Sequence, residues 1–437
     1  MDAATSPITV FWFRRDLRLE DNHGFFRALD GPHPVLPVFI FDPAILEELD
    51  DRRDKRVAFI HQALAALSEK LASLGSTIYT AHGEPVRVFA QLIGQYAIAQ
   101  VISNHDFEPY AIRRDRLVAE LLTGRGIRFS TFKDQVIFDP MEILKPDGTP
   151  YVVYTAYSKA WKQRLGGIVP PAYDSEKRLS GLMPHEAMPV PALADIGFER
   201  VDPGLSPIRI DPEMLMEYVN SRNFPYREGT TNVSVHLRFG TISVRHLVAL
   251  ALRWSETWLN ELIWREFFMM ILYFFPHVVD RSFKRKYDDI RWRNNEEEFA
   301  AWCDGATGYP LVDAGMRELN ATGRMHNRVR MAVASFLTKD LLIDWRWGEA
   351  YFAKKLLDYE LSSNNGNWQW AAGTGCDAAP YFRIFNPAEQ ARKFDPDSLY
   401  IQKWIPGCRP GYTPQIVDHA FARDRALAAY KVALEGM

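Results

Sequence analysis

The hydrophobic pattern changes its period along the chain, and this change constrains the fold more than any other feature of the sequence. In the first third, short runs rich in β-branched and aromatic residues alternate with segments whose apolar residues recur at helical spacing. The runs that predict buried strands are Ile8–Phe13, Val35–Phe41, Thr77–Ala81, Gln100–Ser103 and Arg128–Phe132. Strands that alternate with helices over short connections predict a parallel, Rossmann-like sheet covered by helices, which is an α/β domain. No Gly-x-Gly-x-x-Gly follows the first strand, so we do not expect this domain to hold the main cofactor.

A proline-rich stretch separates this region from a helical one. From about residue 137 to 207 the prolines recur too densely for long regular elements, although Tyr157–Leu165 can form a short helix. From about Ile208 onward the apolar spacing is helical and the tryptophans are concentrated. We therefore predict an α/β domain at 1–131, a long Pro-rich interdomain linker at 132–207 and an all-α domain at 208–437.

Composition indicates an ordinary globular protein with an excess of aromatic residues. A chain of 437 residues is long enough for two or three domains. Hydrophobic residues make up 47% and charged residues 24%, while 12 tryptophans exceed what packing alone requires. The net charge of −3 does not by itself indicate a nucleic-acid partner. Binding depends on local patches, and the basic clusters at 281–293 and 324–330 suit either such a patch or solvated helix faces.

Several classes of protein are disfavoured by what the sequence lacks. Cys303, Cys376 and Cys408 are scattered and odd in number, which argues against a disulfide framework, a zinc site or an iron–sulfur cluster, and we expect no metal. Met1–Pro7 lacks a basic segment followed by an apolar run, so we expect no secretory signal. The longest apolar stretch, Phe267–Val279, contains a proline and is too short to span a bilayer. These features predict a cytoplasmic protein.

The segment from Asn364 to Pro387 has a composition that a plain core helix does not need. It brings together Asn364, Asn365 and Asn367 with two Trp, an Asp and an Arg, and it shows little amphipathic periodicity. A buried amide left without a partner costs about 1–3 kcal/mol, so these side chains require a polar environment. One interpretation is a loop that joins two core helices. The interpretation we favour is a polar pocket with aromatic walls, shaped for a flat heteroaromatic ligand.

This segment closely resembles the flavin-binding core of the DNA photolyase and cryptochrome family. The opening motif Phe11–Asn22, which alone could be a strand end with a charged turn, resembles the N-terminal signature of the same family. The resemblance covers nearly the whole chain, is strongest from 208 to 400, and is closest to the bacterial class I cyclobutane pyrimidine dimer photolyases. It implies an N-terminal domain of the antenna type and a helical, FAD-binding catalytic domain.

The resemblance assigns a set of residues to the flavin. The hydroxyl-rich stretch 229–240 precedes a helical run, where one hydroxyl is enough for a cap, and in the family it binds the flavin pyrophosphate. The family pattern also places Asn364 at N5 of the flavin and pairs Arg330 with Asp358 beside the isoalloxazine. The full set is Tyr218, Thr230, Thr231, Val233 through its backbone, Ser234, Trp258, Glu261, Arg265, Asn327, Arg330, Asp358, Glu360 and Asn364.

Other positions match residues that the family uses for substrate and for electron transfer. Glu261, Trp264 and Arg265 share one helix face, so an ion pair between Glu261 and Arg265 is the alternative to a role at the substrate. The residues implied for dimer-containing DNA are Arg222, Glu261, Trp264, Asn327, Arg328, Met331, Trp370 and Arg383. Trp292, Trp345 and Trp368 match the family's electron-relaying indoles, although core tryptophans are common. With Glu261 and Asn364 they form the predicted catalytic set.

The function implied is light-driven repair of cyclobutane pyrimidine dimers in DNA by electron transfer from reduced FAD. Photolyases in general flip the damaged bases out of the duplex, and the resemblance implies the same for this protein. We expect a monomer with no membrane partner, whose DNA binding is mostly electrostatic. The alternatives are a cryptochrome-type blue-light photoreceptor of the same fold and a non-photochemical flavin oxidoreductase. The second would need a nicotinamide site, and no motif for one is present.

The sequence departs from the family pattern at three places. Position 324 is Arg where many relatives carry Trp, which alters the pocket rim or adds a phosphate contact. The segment at 407–412 shortens a longer loop of some relatives. Asp106–Tyr110 lacks the Asn-Glu pair of folate-binding members. This last departure favours a deazaflavin or flavin as the second, antenna chromophore, or no second chromophore at all.

Overall fold

The computed structural model describes residues 6–409 and 411–435. The prediction about a secretory signal concerns residues 1–7, of which 1–5 lie outside the described residues. The shortened segment 407–412 includes Pro410, which also lies outside them.

The regular elements follow the predicted change of period. The strands are β1 Ile8–Phe13, β2 Val35–Phe41, β3 Tyr79–His82, β4 Ile98–Asn104 and β5 Arg128–Phe132. The helices are α1 His23–Leu29, α2 Pro43–Leu46, α3 Lys55–Ser73, α4 Pro85–Gln95, α5 Pro109–Thr123, α6 Tyr154–Leu165, α7 Pro212–Ser221, α8 Ser234–Phe239, α9 Val244–Trp254, α10 Glu256–Phe274, α11 Glu296–Cys303, α12 Pro310–Thr322, α13 Asn327–Ser335, α14 Trp345–Lys355, α15 Leu361–Ala372, α16 Pro387–Phe394, α17 Leu399–Trp404 and α18 His419–Glu435. Short 3-10 turns lie at Ser175–Gly181, Leu193–Ile196, Pro276–Val279 and Arg285–Tyr287, and a π-turn at Phe336–Asp340.

The strands form one parallel sheet in the order β3-β2-β1-β4-β5. Every residue of β1 and β2 is buried, as expected for central strands of a sheet covered on both faces. The predicted fold class, a parallel α/β domain followed by a helical region, is confirmed. The third and fourth strands differ by one or two residues from their predicted ends. For the edge strand β3 the reason is that it is only partly buried, so its hydrophobic signal is weak.

The chain forms two compact units, each assembled from separate segments. The first comprises the described residues up to Glu142 with Gln163–Ser206 and Val233–Arg253, and the second comprises Ile143–Lys162, Pro207–Asn232 and the described residues from Trp254 onward. Part of the predicted linker thus packs inside the helical unit, where Trp161 Nε1 donates to Glu266 Oε2 at 2.7 Å. The domain limits at 131 and 207 remain a prediction.

A buried ion-pair cluster joins distant parts of the first unit. The Asp134 side chain is 1% exposed and accepts from Arg18 Nη2 at 2.7 Å and from Arg245 Nη2 at 2.8 Å. Arg245 also pairs with Asp21, and Arg18 Nη1 donates to the carbonyl of Gly240. Burial alone would raise the pKa of Asp134, but the two guanidinium groups lower it from its usual 3.8 to about 2. This cluster explains why residues 233–253 belong to the sheet-containing unit.

Replacing Asp134 is expected to destabilise the first unit strongly. Asp134→Asn leaves two buried guanidinium groups without their shared carboxylate, a change that costs about 3–5 kcal/mol. The matched control is Glu20→Gln, which removes the partner of Lys70 in a pair whose side chains are about half exposed and which contributes about 0–1 kcal/mol. Urea unfolding at neutral pH measures both.

The effect of Asp134→Asn should also depend on pH with a defined sign. Because the folded-state pKa of Asp134 is depressed, its contribution is present above pH 3.8 and is lost as the pH falls through about 2. The difference in unfolding free energy between parent and variant should therefore shrink in strong acid. Equal stabilities of the two proteins at neutral pH would contradict the role of the cluster.

The second unit is built around one large apolar cluster. Its buried members come mainly from α11 to α15, and they include Trp302, Val333, Trp345, Phe352 and Trp368. Among the described residues, no helix has both the length and the apolar composition that a bilayer crossing requires.

Candidate functional site

Helices α13, α14 and α15 of the second unit line a cavity that is partly open to solvent. The lining combines amides, an ion pair and aromatic rings: Asn327, Arg330, Met331, Ala334, Phe352, Leu356, Asp358, Tyr359, Glu360, Ser363, Asn364, Asn367, Trp368, Trp370 and Ala371. The polar, aromatic-walled pocket predicted from 364–387 is therefore present, and α15 carries much of it as a helix and not as a loop.

Helix α15 begins at a buried carboxylate. Glu360 is the N-cap and accepts from the hydroxyls of Ser362 and Ser363 at 2.7–2.8 Å and from the backbone N–H of Ser363 at 3.3 Å. A negative group at a helix N-terminus is stabilised by the helix dipole. The structure thus gives Glu360 a capping role at the cavity wall, and its predicted contact with the flavin remains a prediction.

The amide of Asn364 is oriented by α14. Asn364 Nδ2 donates to Glu349 Oε1 at 2.8 Å and to the Glu349 carbonyl at 3.1 Å. Because both bonds to Glu349 come from the amide nitrogen, the side-chain oxygen of Asn364 is left as the acceptor that this cavity residue can offer to a ligand. Burial raises the pKa of Glu349, while the bond from Asn364 acts in the opposite direction. Sequence reasoning missed Glu349, because nothing in the sequence relates it to Asn364.

An ion pair closes another wall of the cavity. Arg330 Nη2 lies 3.0 and 3.1 Å from the two carboxylate oxygens of Asp358, and Arg330 Nε donates to the carbonyl of Met325 at 2.8 Å. The pair predicted from the sequence is present in the cavity lining. Charge-assisted bonds of this kind fix both side chains, so the pocket keeps one fixed carboxylate and one fixed guanidinium.

Arg324, the departure from the family pattern, lies near this pair. Its Nη2 donates to Asn232 Oδ1 at 2.5 Å, and Asn232 has a left-handed backbone with φ 58°. Burial lowers the pKa of Arg324, while the charges of Asp358 and Glu318 raise it. The side chain therefore connects the Asp358 region with the end of the hydroxyl-rich stretch that contains Thr230 and Thr231.

The hydroxyl-rich stretch does not cap the helix that follows it. The N-cap of α8 is Val233, whose side chain makes no capping hydrogen bond, and Ser234 is the first helical residue. These two residues belong to the first unit. Thr231 is buried in the second unit, where its carbonyl accepts from the backbone N–H of Arg209 at 3.0 Å. The predicted role of these residues at the flavin pyrophosphate remains a prediction.

Glu261 is paired, but not with the partner that helical spacing indicates. It forms an ion pair with Arg222, a residue of the α7 C-terminus, and its side chain remains 34% exposed. Burial raises the pKa of Glu261, and Arg222 acts in the opposite direction. Tyr218, another predicted flavin residue, lies on α7, where burial and the charge of Glu261 raise its pKa. Arg222 is thus the partner of Glu261 in this structure, and its predicted contact with DNA remains a prediction.

Trp264 stacks on a residue that the sequence does not single out. Its ring lies parallel to that of Tyr154, with centroids 3.6 Å apart and an interplanar angle of 5°. Tyr154 is fixed in turn, because its hydroxyl donates to the carbonyl of Asn260 at 2.9 Å and its backbone N–H donates to Asp377 Oδ2 at 3.0 Å. Trp370 lines the cavity and Trp264 does not. The contact of each tryptophan with the dimer remains a prediction, which the cavity lining supports for Trp370 only.

The three predicted relay tryptophans lie in one apolar cluster. Trp368 and Trp345 are fully buried members of it, and Trp292 packs against it half-buried. Trp368 also lines the cavity, while Trp292 lies edge-on to Tyr430 with ring centroids 6.0 Å apart. The cluster therefore connects a cavity residue with a residue that solvent can reach.

The predicted DNA-binding arginines differ in how much they are engaged by the protein. Arg328 is half-buried: Nη2 donates to Asn223 Oδ1 at 2.5 Å and the guanidinium lies 4.3 Å from the Phe394 ring centroid. Arg383 is exposed, with its guanidinium 5.5 Å from the Phe385 ring centroid. Two further predicted residues, Trp258 and Arg265, lie on α10, where Trp258 is buried.

Comparison with known proteins places this geometry in a family. The DNA photolyase family model matches residues 9–175, and the FAD binding domain of DNA photolyase matches residues 258–410. The chain is 37% identical to the deoxyribodipyrimidine photo-lyase of Halobacterium salinarum, over 97% of this chain and 98% of that protein.

Solved structures agree. A class III photolyase from Agrobacterium tumefaciens superposes with a TM-score of 0.86 at 32% identity, covering 99% of both chains. An archaeal photolyase from Sulfolobus tokodaii, solved with two FAD molecules, superposes with a TM-score of 0.80 at 32% identity, covering 97% of this chain and 99% of that one. With whole-length relatives above 30% identity and both characteristic domains matched, the chain belongs to the DNA photolyase family.

Proposed function

We propose that this protein is a deoxyribodipyrimidine photolyase, which repairs cyclobutane pyrimidine dimers in DNA in a light-driven reaction. The observation that carries the proposal is the single cavity that combines the Asn364 amide, the Arg330–Asp358 pair and Trp368 with Asn327, Met331 and Trp370. The first group suits a flavin, and the second suits a fused pair of pyrimidines. The names of the curated relatives support the same activity.

The residues of the cavity fit FAD. The Asn364 oxygen is held towards the cavity as an acceptor by the two bonds from its amide nitrogen to Glu349, which suits the N–H at N5 of a reduced flavin. Asp358, fixed by Arg330, offers an acceptor for the ring N–H groups, and Arg324 offers a cation near the hydroxyl-rich stretch. FAD, when bound, supplies the electron that light makes available for splitting the dimer.

The substrate side is aromatic and polar in alternation. Trp370 presents a flat surface on which a base can stack, an interaction worth about 1–3 kcal/mol per base. The Asn327 amide can bond to base edges, and Met331 fills the space beside it as an adaptable apolar group. A dimer that is already weakly paired costs less to flip than an intact base pair, which favours damaged DNA.

We infer that the second chromophore, when one is bound, is a deazaflavin or flavin and not a folate. In place of the Asn-Glu pair of folate-binding members, Asp106 and Glu108 both pair with Arg15, at 3.2 and 3.0 Å. The Sulfolobus relative with two FAD molecules was described as implying a novel light-harvesting cofactor. Extraction of the purified protein and chromatography of the released chromophores test this inference.

We propose further that the protein acts as a cytoplasmic monomer. Sedimentation of the purified protein tests the oligomeric state, and fractionation of cells tests the location.

Arg383 is expected to act on DNA phosphates without regard to sequence or damage. Because it is exposed, Arg383→Ala should weaken damaged and undamaged DNA about equally and reduce the slope of log K against log salt by about 0.9. Arg392→Ala is a suitable control, because this exposed arginine pairs with Glu389 on its own helix. Fluorescence titrations at several salt concentrations measure both. A loss confined to damaged DNA would place Arg383 at the lesion.

The decisive test of the function is repair by the reduced protein. The protein, loaded with FAD and reduced chemically, is illuminated with blue light in the presence of an oligonucleotide that carries one thymine dimer. The return of ultraviolet absorbance as thymines re-form is the expected result. Full reduction of bound FAD with no repair would favour a photoreceptor of the same fold.

A further inference from the structure

Helices α14 and α15 are in direct contact through a glycine. Gly348 lies in α14, one turn after Trp345, and has no side chain between its backbone and the indole of Trp368. A Cβ at position 348 would lie 2.5 Å from Leu337 Cδ2 and closer still to Cη2 and Cζ3 of Trp368. Real Cβ atoms do not approach other atoms so closely, so the packing requires glycine here.

The face of α14 that Trp368 contacts is the face that carries Trp345. Residues three and four positions apart are neighbours on a helix surface, so Trp345, Gly348 and Phe352 form one continuous stripe. Phe352 meets Trp368 edge-on, with ring centroids 5.0 Å apart. Trp368 therefore lies over Gly348 and against Phe352, on the helix face that also carries Trp345, the next member of the predicted relay.

The same turn of α14 also orients the cavity amide. Glu349 follows Gly348 directly, and its side chain and carbonyl accept both hydrogens of the Asn364 amide. Asn364 and Trp368 are four positions apart on α15, so they lie on one face of that helix. The spacing between the two helices thus sets two contacts at once, the indole against α14 and the amide against Glu349.

We propose that Gly348 is a positioning residue for electron transfer, which sets the α14–α15 spacing that places Trp368 beside Trp345 and Asn364 on Glu349. The inference rests on the proposed function, in which Trp368 and Trp345 relay electrons. Electron transfer between indoles weakens steeply with the distance between their edges. A methyl group at position 348 displaces the Trp368 ring from α14 and lengthens this step.

The substitution Gly348→Ala tests the proposal. Alanine favours a helix over glycine by about 1 kcal/mol, so helix propensity alone predicts a more stable protein. We expect instead a lower melting temperature and a several-fold slower photoreduction of bound oxidised FAD by an external donor. Repair by chemically reduced protein does not need the relay, so it should fall less than photoreduction does.

Gly94→Ala is the matched control, because Gly94 lies in α4 and a Cβ added there would meet no atom within 4 Å. It should leave photoreduction unchanged. Photoreduction of Gly348→Ala at the parental rate, in protein that repairs dimers when reduced, would overturn the proposal without affecting the proposed function. Absence of repair in the parent would overturn the function itself.

A second measurement needs no cofactor. In a double-mutant cycle, Gly348→Ala should destabilise the protein that carries Trp368 more than the protein that carries Trp368→Phe, because the smaller ring leaves room for the methyl group. Should Gly348→Ala fail to fold, the double variant is expected to fold. An additive cycle, or a double variant that is equally unfolded, would show that the clash is not with Trp368 and would overturn the proposal.

Discussion

Trp368→Phe is expected to remove nearly all photoreduction of bound oxidised FAD and to leave repair by chemically reduced protein largely intact. Trp368 lines the cavity, is 2% exposed and belongs to the apolar cluster that also contains Trp345 and Trp292. Phenylalanine keeps much of the packing but has no indole that can be oxidised readily. Photoreduction and repair should therefore respond differently, because the relay supplies electrons to oxidised FAD but takes no part in splitting the dimer.

The measurement is the decay of the oxidised flavin spectrum under blue light with an external donor present, followed by a repair assay on protein reduced in the dark. Trp302→Phe is the matched control. Trp302 is fully buried in the same cluster and meets Trp368 edge-on at 6.1 Å, but it does not line the cavity and is not part of the predicted relay. Photoreduction should survive this change, and its loss in both variants would indicate a packing effect instead.

The features that depend on local sequence pattern could be predicted from the sequence. β1, β2 and β5 begin and end at the predicted residues, because buried central strands are continuous apolar runs and β5 is bounded by clear turn signals. The relation between Arg330 and Asp358 was predictable only through the family resemblance, since 28 positions separate them. The pocket itself was predictable because several amides in a short segment must find partners.

The contacts that orient the site were not predictable, for a physical reason. Helical spacing relates residues three or four positions apart, and it offered only Arg265 as an alternative partner for Glu261, whereas the structure provides Arg222 from another helix. Glu349 and Tyr154 were missed in the same way, since their contacts with Asn364 and Trp264 depend on how helices pack. Nor does a sequence pattern show that a glycine inside a helix is there to admit an indole.

The Arg222–Glu261 pair leads to the last prediction, which concerns the charge on Glu261 during repair. Negative charge builds on the dimer carbonyls after electron transfer, and a protonated carboxyl or an amide can donate to it, whereas a carboxylate cannot. Burial raises the pKa of Glu261, and Arg222 opposes this. Repair efficiency in the parent should therefore fall as the pH rises through the pKa of Glu261, because the donor is lost by ionisation.

Three substitutions give this idea a defined sign. Glu261→Gln keeps a donor that does not ionise, so its repair efficiency should be independent of pH. Arg222→Ala removes the charge that favours the carboxylate, so the fall in efficiency should move to higher pH. Glu261→Ala removes the donor altogether. The loss of one hydrogen bond to a charged group, worth about 1.5–3 kcal/mol, should slow ring splitting by about tenfold or more relative to the parent with Glu261 protonated, and this difference should shrink as Glu261 of the parent ionises.

Changes at Glu261 should affect the quantum yield of repair more than the affinity for dimer-containing DNA, because the donor acts mainly on charge that develops after binding. Glu261→Ala is expected to bind dimer-containing DNA only modestly more weakly than the parent, while Trp264→Ala should lose affinity for damaged DNA and keep its affinity for undamaged DNA. Quantum yields measured from about pH 5 to 9, on a scale set by the chemically reduced parent, test the pH dependence. If the pH profile of Arg222→Ala coincides with that of the parent, the ion pair does not control the protonation of Glu261. The Glu261 carboxylate would then serve to hold Arg222 in place and not to stabilise the dimer during splitting.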